Sequence, residues 1–561
     1  METDGHYDCI VIGSGFGGAA MACRLAEAGR EVLVLERGGE YPPGRFPRTP
    51  LDASTNLWDP SEGLFGMFDV WSFKRFEALV CSGVGGGSLI YANVMVPKPD
   101  GWFARQQSGP MAEYWPISAE DLAEPYARVK TRLGVRPYPY VDSTDKTRLL
   151  KQAARAQDLD FVPAPLAVRF SADVNQLGRP AGRPADNRYG VQRYTCRKCG
   201  ECDIGCNTGS KNSTDLTYLS VRELRDRVRP HHEVQEVEPL GGPDRGYAVS
   251  GVVHRPPHPR WERRHVAAAT PFRVTATTVV FAAGCFGTTY LLLSNRARHL
   301  PKLSPALGTK FSGNGDYLGI IRAGKKHVVN SSRAPVITGM IKGADRTRID
   351  LPWPESGSER GYLLQDGGYP LLGDWVSEAV GLKPVRRLVQ SALTLARARL
   401  SRTPRTQVSA RFSEAIGQSR ESRTLLPILG IGRDLPGGVM TLREARDGDT
   451  ELDVSWDSSH SQPIFARIED GMRRVAAGMD GTFYRGPSAL VSRMTSVHPL
   501  GGAPMSNDPE RGVVDAWGEV WGYPGLFVAD GSVMPGSVGV NPAMTIAALS
   551  ERFADRVLQR C

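Results

Sequence analysis

The sequence predicts an α/β protein organised around a dinucleotide-binding βαβ unit, and three stretches carry that prediction. The first 36 residues run from an apolar segment through a Gly-x-Gly-x-x-Gly turn and a helical pattern to a second apolar segment ending in an acid. A second glycine cluster occupies 81–94, and the chain finishes on a strand pattern, an Asp-Gly turn and a helix across 525–558.

The opening stretch, "YDCIVIGSGFGGAAMACRLAEAGREVLVLERG", justifies the first unit. Gly13 permits a tight strand-to-helix turn, Gly15 lets backbone approach a pyrophosphate at the helix N-terminus, and Gly18 lets the helix pack close to the sheet. Glu36 ends the second strand, where a carboxylate accepts from adenosine ribose hydroxyls. The motif suits NAD and FAD alike, because both carry the ADP half. "CSGVGGGSLIYANV" favours FAD: Gly83, Gly85, Gly86 and Gly87 allow backbone to wrap along a longer cofactor. "TVVFAAGCFGTTYLLLSN" reads as a buried strand, a Gly284/Gly287 turn and a helix returning to the same sheet. Near the end, Leu526 to Val528 predict a strand closed by Asp530-Gly531, and Pro542 opens a helix from about Ala543. The expected cofactor contacts are Gly13, Gly15, Phe16, Gly18, Glu36, Gly83, Gly86, Gly87, Ser88, Asn93, Asp530, Gly531, Asn541 and Pro542.

Composition narrows the class. With 561 residues, 41% of them hydrophobic, the chain can bury a large core in roughly two to four domains. No apolar run approaches a membrane span, and the acidic N-terminus lacks a basic, signal-like region, which predicts a cytoplasmic protein. The net charge of +9 is scattered rather than gathered into a basic stripe with interleaved aromatics, so nucleic acid is not an expected partner.

Taken in order, the Gly13/Gly15/Gly18 fingerprint, "GVGGGSLIYANV", "YWPISAEDLAEPY", "AAGCFGTTYLLL", "HPLGG" and "VADGSVMPGSVGVNPAMTIAALSER" resemble the glucose–methanol–choline (GMC) flavin oxidoreductases. The glycine loop and "LQDGGYP" resemble the cholesterol-oxidase-like branch. The resemblance implies a Rossmann-type FAD-binding domain assembled from discontinuous segments, 1–320 and 486–561, and a substrate domain across 321–485 on a mainly antiparallel sheet. It also implies that His498 and Asn541 face the reactive edge of the flavin.

An alcohol releases hydride readily only as its hydroxyl proton is taken up, and a histidine within hydrogen-bond reach suits that task near neutral pH. His498 is therefore the expected base, with Asn541 orienting the hydroxyl, on a bulky hydrophobic, sterol-like alcohol. Dioxygen, a quinone-like carrier or a protein would take the electrons. Cholesterol oxidases also use a substrate-domain glutamate to isomerise the steroid. Here Gln365 and Asp366 stand in that stretch: the amide is no base, and Asp366 serves only with the register shifted by one, or else belongs to its Asp-Gly-Gly turn. The oligomeric state is not readable.

Three further features remain open at this level. The apolar stretch 56–73 suits either a lid or a core strand pair. Val385, Leu388, Val389, Ala392, Leu395, Ala396 and Leu400 share one helical face, suited to the protein's own core or to a membrane surface. "CRKCGECDIGC" spaces Cys196, Cys199, Cys202 and Cys206 as ferredoxins do. A structural thiol loop, an iron–sulfur cluster, a zinc knuckle and local disulfides are its possible uses, a single cluster borrowing its last ligand from Cys9, Cys23, Cys81, Cys285 or Cys561. A cluster would make the protein an electron-transfer dehydrogenase.

Overall fold

The computed structural model describes residues 2–48, 56–104, 113–241, 245–256, 269–345, 360–369, 423–444, 450–486 and 494–560. Two sheets organise them. The first has seven strands around Glu2–Ile12, which pairs in parallel with Val32–Leu35 on one side and Thr270–Phe281 on the other. Val228–Arg229 extends one edge in parallel, and Leu526–Val528 joins Thr270–Phe281 in parallel. The hairpin of His232–Pro239 and Tyr247–Val253 completes the sheet antiparallel. Val32 to Leu35 are all buried, the pattern of a strand covered on both faces. Helices Phe16–Glu27 and Ala543–Arg560 pack together over this sheet.

The second sheet has six antiparallel strands, in the order Thr482–Arg485, Tyr317–Arg322, Leu425–Gly432, Tyr362–Asp366, Gly339–Gly343 and Asp160–Pro163. It is not confined to 321–485: Asp160–Pro163 is lent from within the first 320 residues. Helices Asp145–Ala156 and Gln462–Gly478 cover one face, where Leu150, Ile341, Leu364, Ile428, Ile468 and Met472 form a core. Strand alternation sends Leu363 and Met340 the other way, into the core of the first sheet.

The apolar stretch 56–73 contains the strand Phe68–Ser72, paired antiparallel with Phe76–Cys81. Trp71 stacks on Phe286 at 5.2 Å and Phe73, just past the strand, meets the same ring tilted at 5.3 Å, so these aromatics are anchored beside the sheet. The amphipathic stretch 383–405 lies outside the described residues. Among the described residues no helix is long and apolar enough to cross a membrane.

The first turn shows why small residues are required. A Cβ on Gly18 would stand 2.1 Å from the Gly13 carbonyl oxygen, and one on Gly17 would stand 1.7 Å from that of Ala529. A Cβ on Gly15 would meet nothing within 4 Å. Gly17→Ala is therefore expected to destabilise the fold by about 3 kcal/mol. Gly15→Ala is expected to change stability by less than about 0.5 kcal/mol while lowering the dinucleotide retained on purification. Thermal unfolding of the cofactor-stripped proteins, with nucleotide content, checks both; equal stability for the two variants would contradict this packing.

Candidate active site

A cavity of about 1000 Å³ lies between the two sheets, at the upper end of the range for cofactor sites. One end is lined by Glu36 and by Glu233 to Glu236, the other by His498, Asn541, Leu318, Val336, Ile337 and Leu429. Gly15, the N-cap of Phe16–Glu27, borders it without a side-chain cap, and Ala283 and Pro542 border it at the starts of Gly284–Arg296 and the last helix, the Gly284 N–H being taken by Asp530. The uncapped N-terminus of Phe16–Glu27 leaves backbone N–H groups and a positive dipole end toward the cavity, which suits a pyrophosphate.

Glu36 accepts from the Ser14 hydroxyl at 2.6 Å, the Ser14 N–H at 3.2 Å and the Gly38 N–H at 3.0 Å. Burial pushes its carboxyl upward, with the Ser14 hydroxyl opposing. A carboxylate has about four lone-pair sites, so capacity remains for a ribose hydroxyl. Asn93 has a left-handed backbone, and its amide oxygen and nitrogen are both buried without a hydrogen-bond partner between the cavity-lining Ala92 and Val94. That orphaned amide and the uncapped helix fit an FAD.

Of the expected cofactor contacts, Gly13, Gly15, Phe16, Glu36, Gly86, Gly87, Asp530, Gly531, Asn541 and Pro542 line the cavity. Gly18, Gly83 and Ser88 do not; they build the wall from behind. Gly18 tightens the first turn, the Gly83 carbonyl accepts from Ser14 Oγ, and the Ser88 hydroxyl donates to the Gly85 carbonyl at 2.6 Å. Asp530 has a bracing role, since Gly284 N–H, the Thr288 hydroxyl, Ser532 N–H and the Ser532 hydroxyl all donate to it.

His498 is held by a residue that sequence reading missed. Asp316 Oδ1 lies 2.7 Å from His498 Nδ1, and its Oδ2 accepts the backbone N–H groups of Val497 at 2.8 Å and His498 at 3.1 Å. A carboxylate there assigns the ring proton to Nδ1 and leaves Nε2 with a lone pair. Two residues earlier, Asn314 donates to the Val540 carbonyl and accepts from Gly539 N–H, both at 2.8 Å, fixing the approach to Asn541. The turn-forming "SGNGD" at 312–316 was the available signal.

Asn541 meets Gln365 through a reciprocal amide pair: Gln365 Nε2 donates to Asn541 Oδ1 at 2.6 Å, and Asn541 Nδ2 donates back at 3.3 Å. Alternation turns Asp366 to the opposite face. There it accepts from the Thr338 hydroxyl and the N–H groups of Thr338 and Gly339, 3.5 Å from Lys146, with no exposure. The substrate-pocket expectation for Asp366 is corrected accordingly: it is a buried structural carboxylate.

A family model described as "GMC oxidoreductase" matches residues 437–550, and one for an NAD(P)-binding Rossmann-like domain matches 11–69. A cholesterol oxidase of Mycobacterium tuberculosis is 31% identical over 577 residues, covering 99% of this chain and 91% of the relative. The chain belongs to the GMC oxidoreductase family. A cholesterol oxidase of Acinetobacter baumannii is 26% identical, covering 97% and 93% of the two chains. The crystal structure of a pyridoxine 4-oxidase from Mesorbium loti superposes with a TM-score of 0.58 at 15% identity over 98% of this chain and 99% of that one, a likeness of fold. The protein is a GMC oxidoreductase of the cholesterol-oxidase-like branch, an FAD-dependent enzyme class acting on CH–OH donors.

In this GMC oxidoreductase the described residues give no support for a metal centre at the cysteine loop. Among the described residues no three His, Cys, Asp or Glu side chains converge as a metal-binding group, and the eight described cysteines are free thiols. Three of the four loop sulfurs have polar neighbours: Cys196 accepts from Lys198 N–H, Cys202 from the Val336 backbone, and Cys206 contacts the Thr208 and Ser210 hydroxyls. This geometry lends the cluster and zinc expectations no support; Cys561 lies outside the described residues. Arg48 braces the loop, donating to Glu201 and to the carbonyls of Pro47, Ile204 and Gly205. The loop also brings Asp203 to the cavity wall, where burial raises its carboxyl to about 6 against the pull of Lys211 and Lys146.

Asp434 supports the turn 312–316 from below, accepting from the Ser312 hydroxyl at 2.6 Å and Gly313 N–H at 3.0 Å. Burial raises its carboxyl to about 7. The native state then keeps a proton that the unfolded chain has released, so this contribution is full below the unfolded value near 4 and is lost as pH rises through about 7. Between pH 5 and pH 8 it should weaken stability by about 2 to 3 kcal/mol. Asp434→Asn should flatten the stability profile by that amount in urea unfolding; parallel profiles for parent and variant would contradict the assignment.

Proposed function

We propose that this GMC oxidoreductase oxidises a bulky, largely apolar alcohol, with FAD held non-covalently and dioxygen as the final electron acceptor. The observation that carries this reading is the Asp316–His498 pair sharing a cavity wall with Asn541. When bound, FAD supplies the acceptor for the hydride that leaves the carbinol carbon. His498 Nε2 has no hydrogen-bond partner among the described residues and takes the hydroxyl proton as the C–H bond breaks. Asp316 holds the ring in that tautomer and stabilises the imidazolium that forms. Gln365 fixes the Asn541 amide, whose second N–H then donates to the substrate oxygen.

The substrate end supports an apolar, sterol-sized alcohol: Tyr91, Leu318, Val336, Ile337, Ile428 and Leu429 line it, and the M. tuberculosis relative is named a cholesterol oxidase. In this reading the seven-stranded sheet carries the cofactor and the six-stranded sheet roofs the substrate. The strand position beside Asn541 offers an amide where a base would be needed to isomerise a steroid.

Purified protein should release FAD on denaturation. Anaerobic mixing with a 3-hydroxysteroid should bleach the flavin, and air should restore it. His498→Ala and Asn541→Ala should each slow single-turnover flavin reduction by about a hundredfold while retaining the flavin. Reduction of His498→Ala at the parent rate, or release of NAD, would contradict this function.

A further inference from the structure

We infer that the cysteine loop carries a second recognition group of the active site: the Asp203 carboxylate accepts a hydrogen bond from a hydroxyl or ammonium that the substrate bears in addition to its reacting alcohol. This inference rests on the alcohol-oxidation reading above and narrows its substrate class to alcohols with a second donor.

The loop's location puts Asp203 at the substrate end. The Cys202 thiol accepts from the Val336 backbone, and a Cβ on Gly200 would stand 2.8 Å from the Ser332 carbonyl oxygen and 3.2 Å from that of Tyr369. The loop is thus packed on the strand ends of the six-stranded sheet, where Val336, Ile337, Gly367 and Gly368 line the cavity together with Asp203. Gly367 stands two residues beyond Gln365, the partner of Asn541. Asn207 pins the loop to the Phe46 backbone at 2.8 and 3.0 Å, and Lys211 Nζ donates to the carbonyls of Leu89 and Cys202, both at 2.9 Å. A carboxylate on so braced a loop has a fixed address.

Its chemistry is unlike that of the other acids in the wall. Glu36, Glu233, Glu236 and Asp530 each have hydrogen-bonding partners in the protein. Asp203 accepts no hydrogen bond from any described residue. The two buried ammonium groups whose charge acts on it, Lys146 and Lys211, direct their protons elsewhere, Lys211 to carbonyls and Lys146 to the carbonyls of Val336 at 2.6 Å and Gly367 at 3.2 Å and to the Asp366 carboxylate at 3.5 Å. Their field favours the anion while its lone pairs stay open. An apolar substrate that displaced water here would leave a charged acceptor unpaired, whereas a substrate donor would satisfy it, and sites built on such groups discriminate strongly.

The test compares α,ω-diols with the 1-alkanols of equal length, from butane to dodecane, in parent protein, Asp203→Asn and Asp203→Leu, each first checked for flavin content. Anaerobic flavin reduction gives kcat and KM, and the ligand-induced Tm shift gives binding independently. At the chain length that spans the reacting carbon and Asp203, the parent should prefer the diol in KM by about tenfold or more. In Asp203→Leu that preference should fall to about one, with Asp203→Asn between. An unchanged diol preference in Asp203→Leu, or no preference at any length in the parent, would overturn the inference. If no alcohol reduces the flavin yet a diol-selective Tm shift disappears in Asp203→Leu, the oxidation reading fails and the recognition site stands.

Discussion

The five residues from Ser312 to Asp316 hold both His498 and the approach to Asn541 from one turn. Asp316 is almost wholly buried and gathers the ring of His498 and two backbone N–H groups; Asn314 clamps the backbone just before Asn541. Ser312 exchanges backbone hydrogen bonds with Leu500, on the far side of His498, at 3.0 Å in each direction. The strand Tyr317–Arg322 starts directly after the turn, so the six-stranded sheet is tied to His498 and Asn541 without a flexible connection. In the proposed reaction, preorganisation of this kind avoids reorienting the imidazole and the amide when substrate arrives.

The loop that carries Asn541 needs a second anchor, and buried charge provides it. Lys98, with no exposed side chain, donates to the Ser537 carbonyl at 2.8 Å and lies 4.4 Å from the Trp115 ring centre. Glu113 beside it is shared with Arg360 at 3.6 Å and Arg433 at 3.5 Å. Burial lowers the Lys98 ammonium to about 7, with the Glu113 carboxylate opposing. Such groups cost desolvation and give little net stability, but removing one partner strands the others. Their effect here is positional: backbone carbonyls with no regular secondary structure are fixed at Ser537 and Val538, shortly before Asn541.

Much of the cofactor half was legible because its constraints are local. A pyrophosphate turn requires glycines at set spacings, and Gly13, Gly15 and Glu36 are read from consecutive residues. The strand patterns at 32–35 and 526–528 are short, apolar and bounded by turn signals, and both are strands. The six-stranded sheet was not legible, because it joins Asp160–Pro163 to Gly339–Gly343, far along the chain, and no periodicity encodes such pairing. Gln365 and Asp366 are adjacent in sequence yet face opposite sides, a distinction that needs the strand's orientation. Asp316 escaped for a similar reason, since its partner lies 182 residues away. The cysteine spacing left several uses open because ligand spacing says nothing of where each sulfur points; here backbone and hydroxyl groups contact three of the four.

If the turn at 312–316 is what positions the reacting groups, a change in it that touches neither substrate nor cofactor must still slow chemistry. Asn314→Ala meets that description, as the hydrogen bonds of the Asn314 side chain go to the Gly539–Val540 backbone. Rapid-mixing flavin reduction should be slower than in the parent by about tenfold or more, with flavin content and substrate KM little changed. Reduction at the parent rate, with Asn541 free of its clamp, would contradict the account.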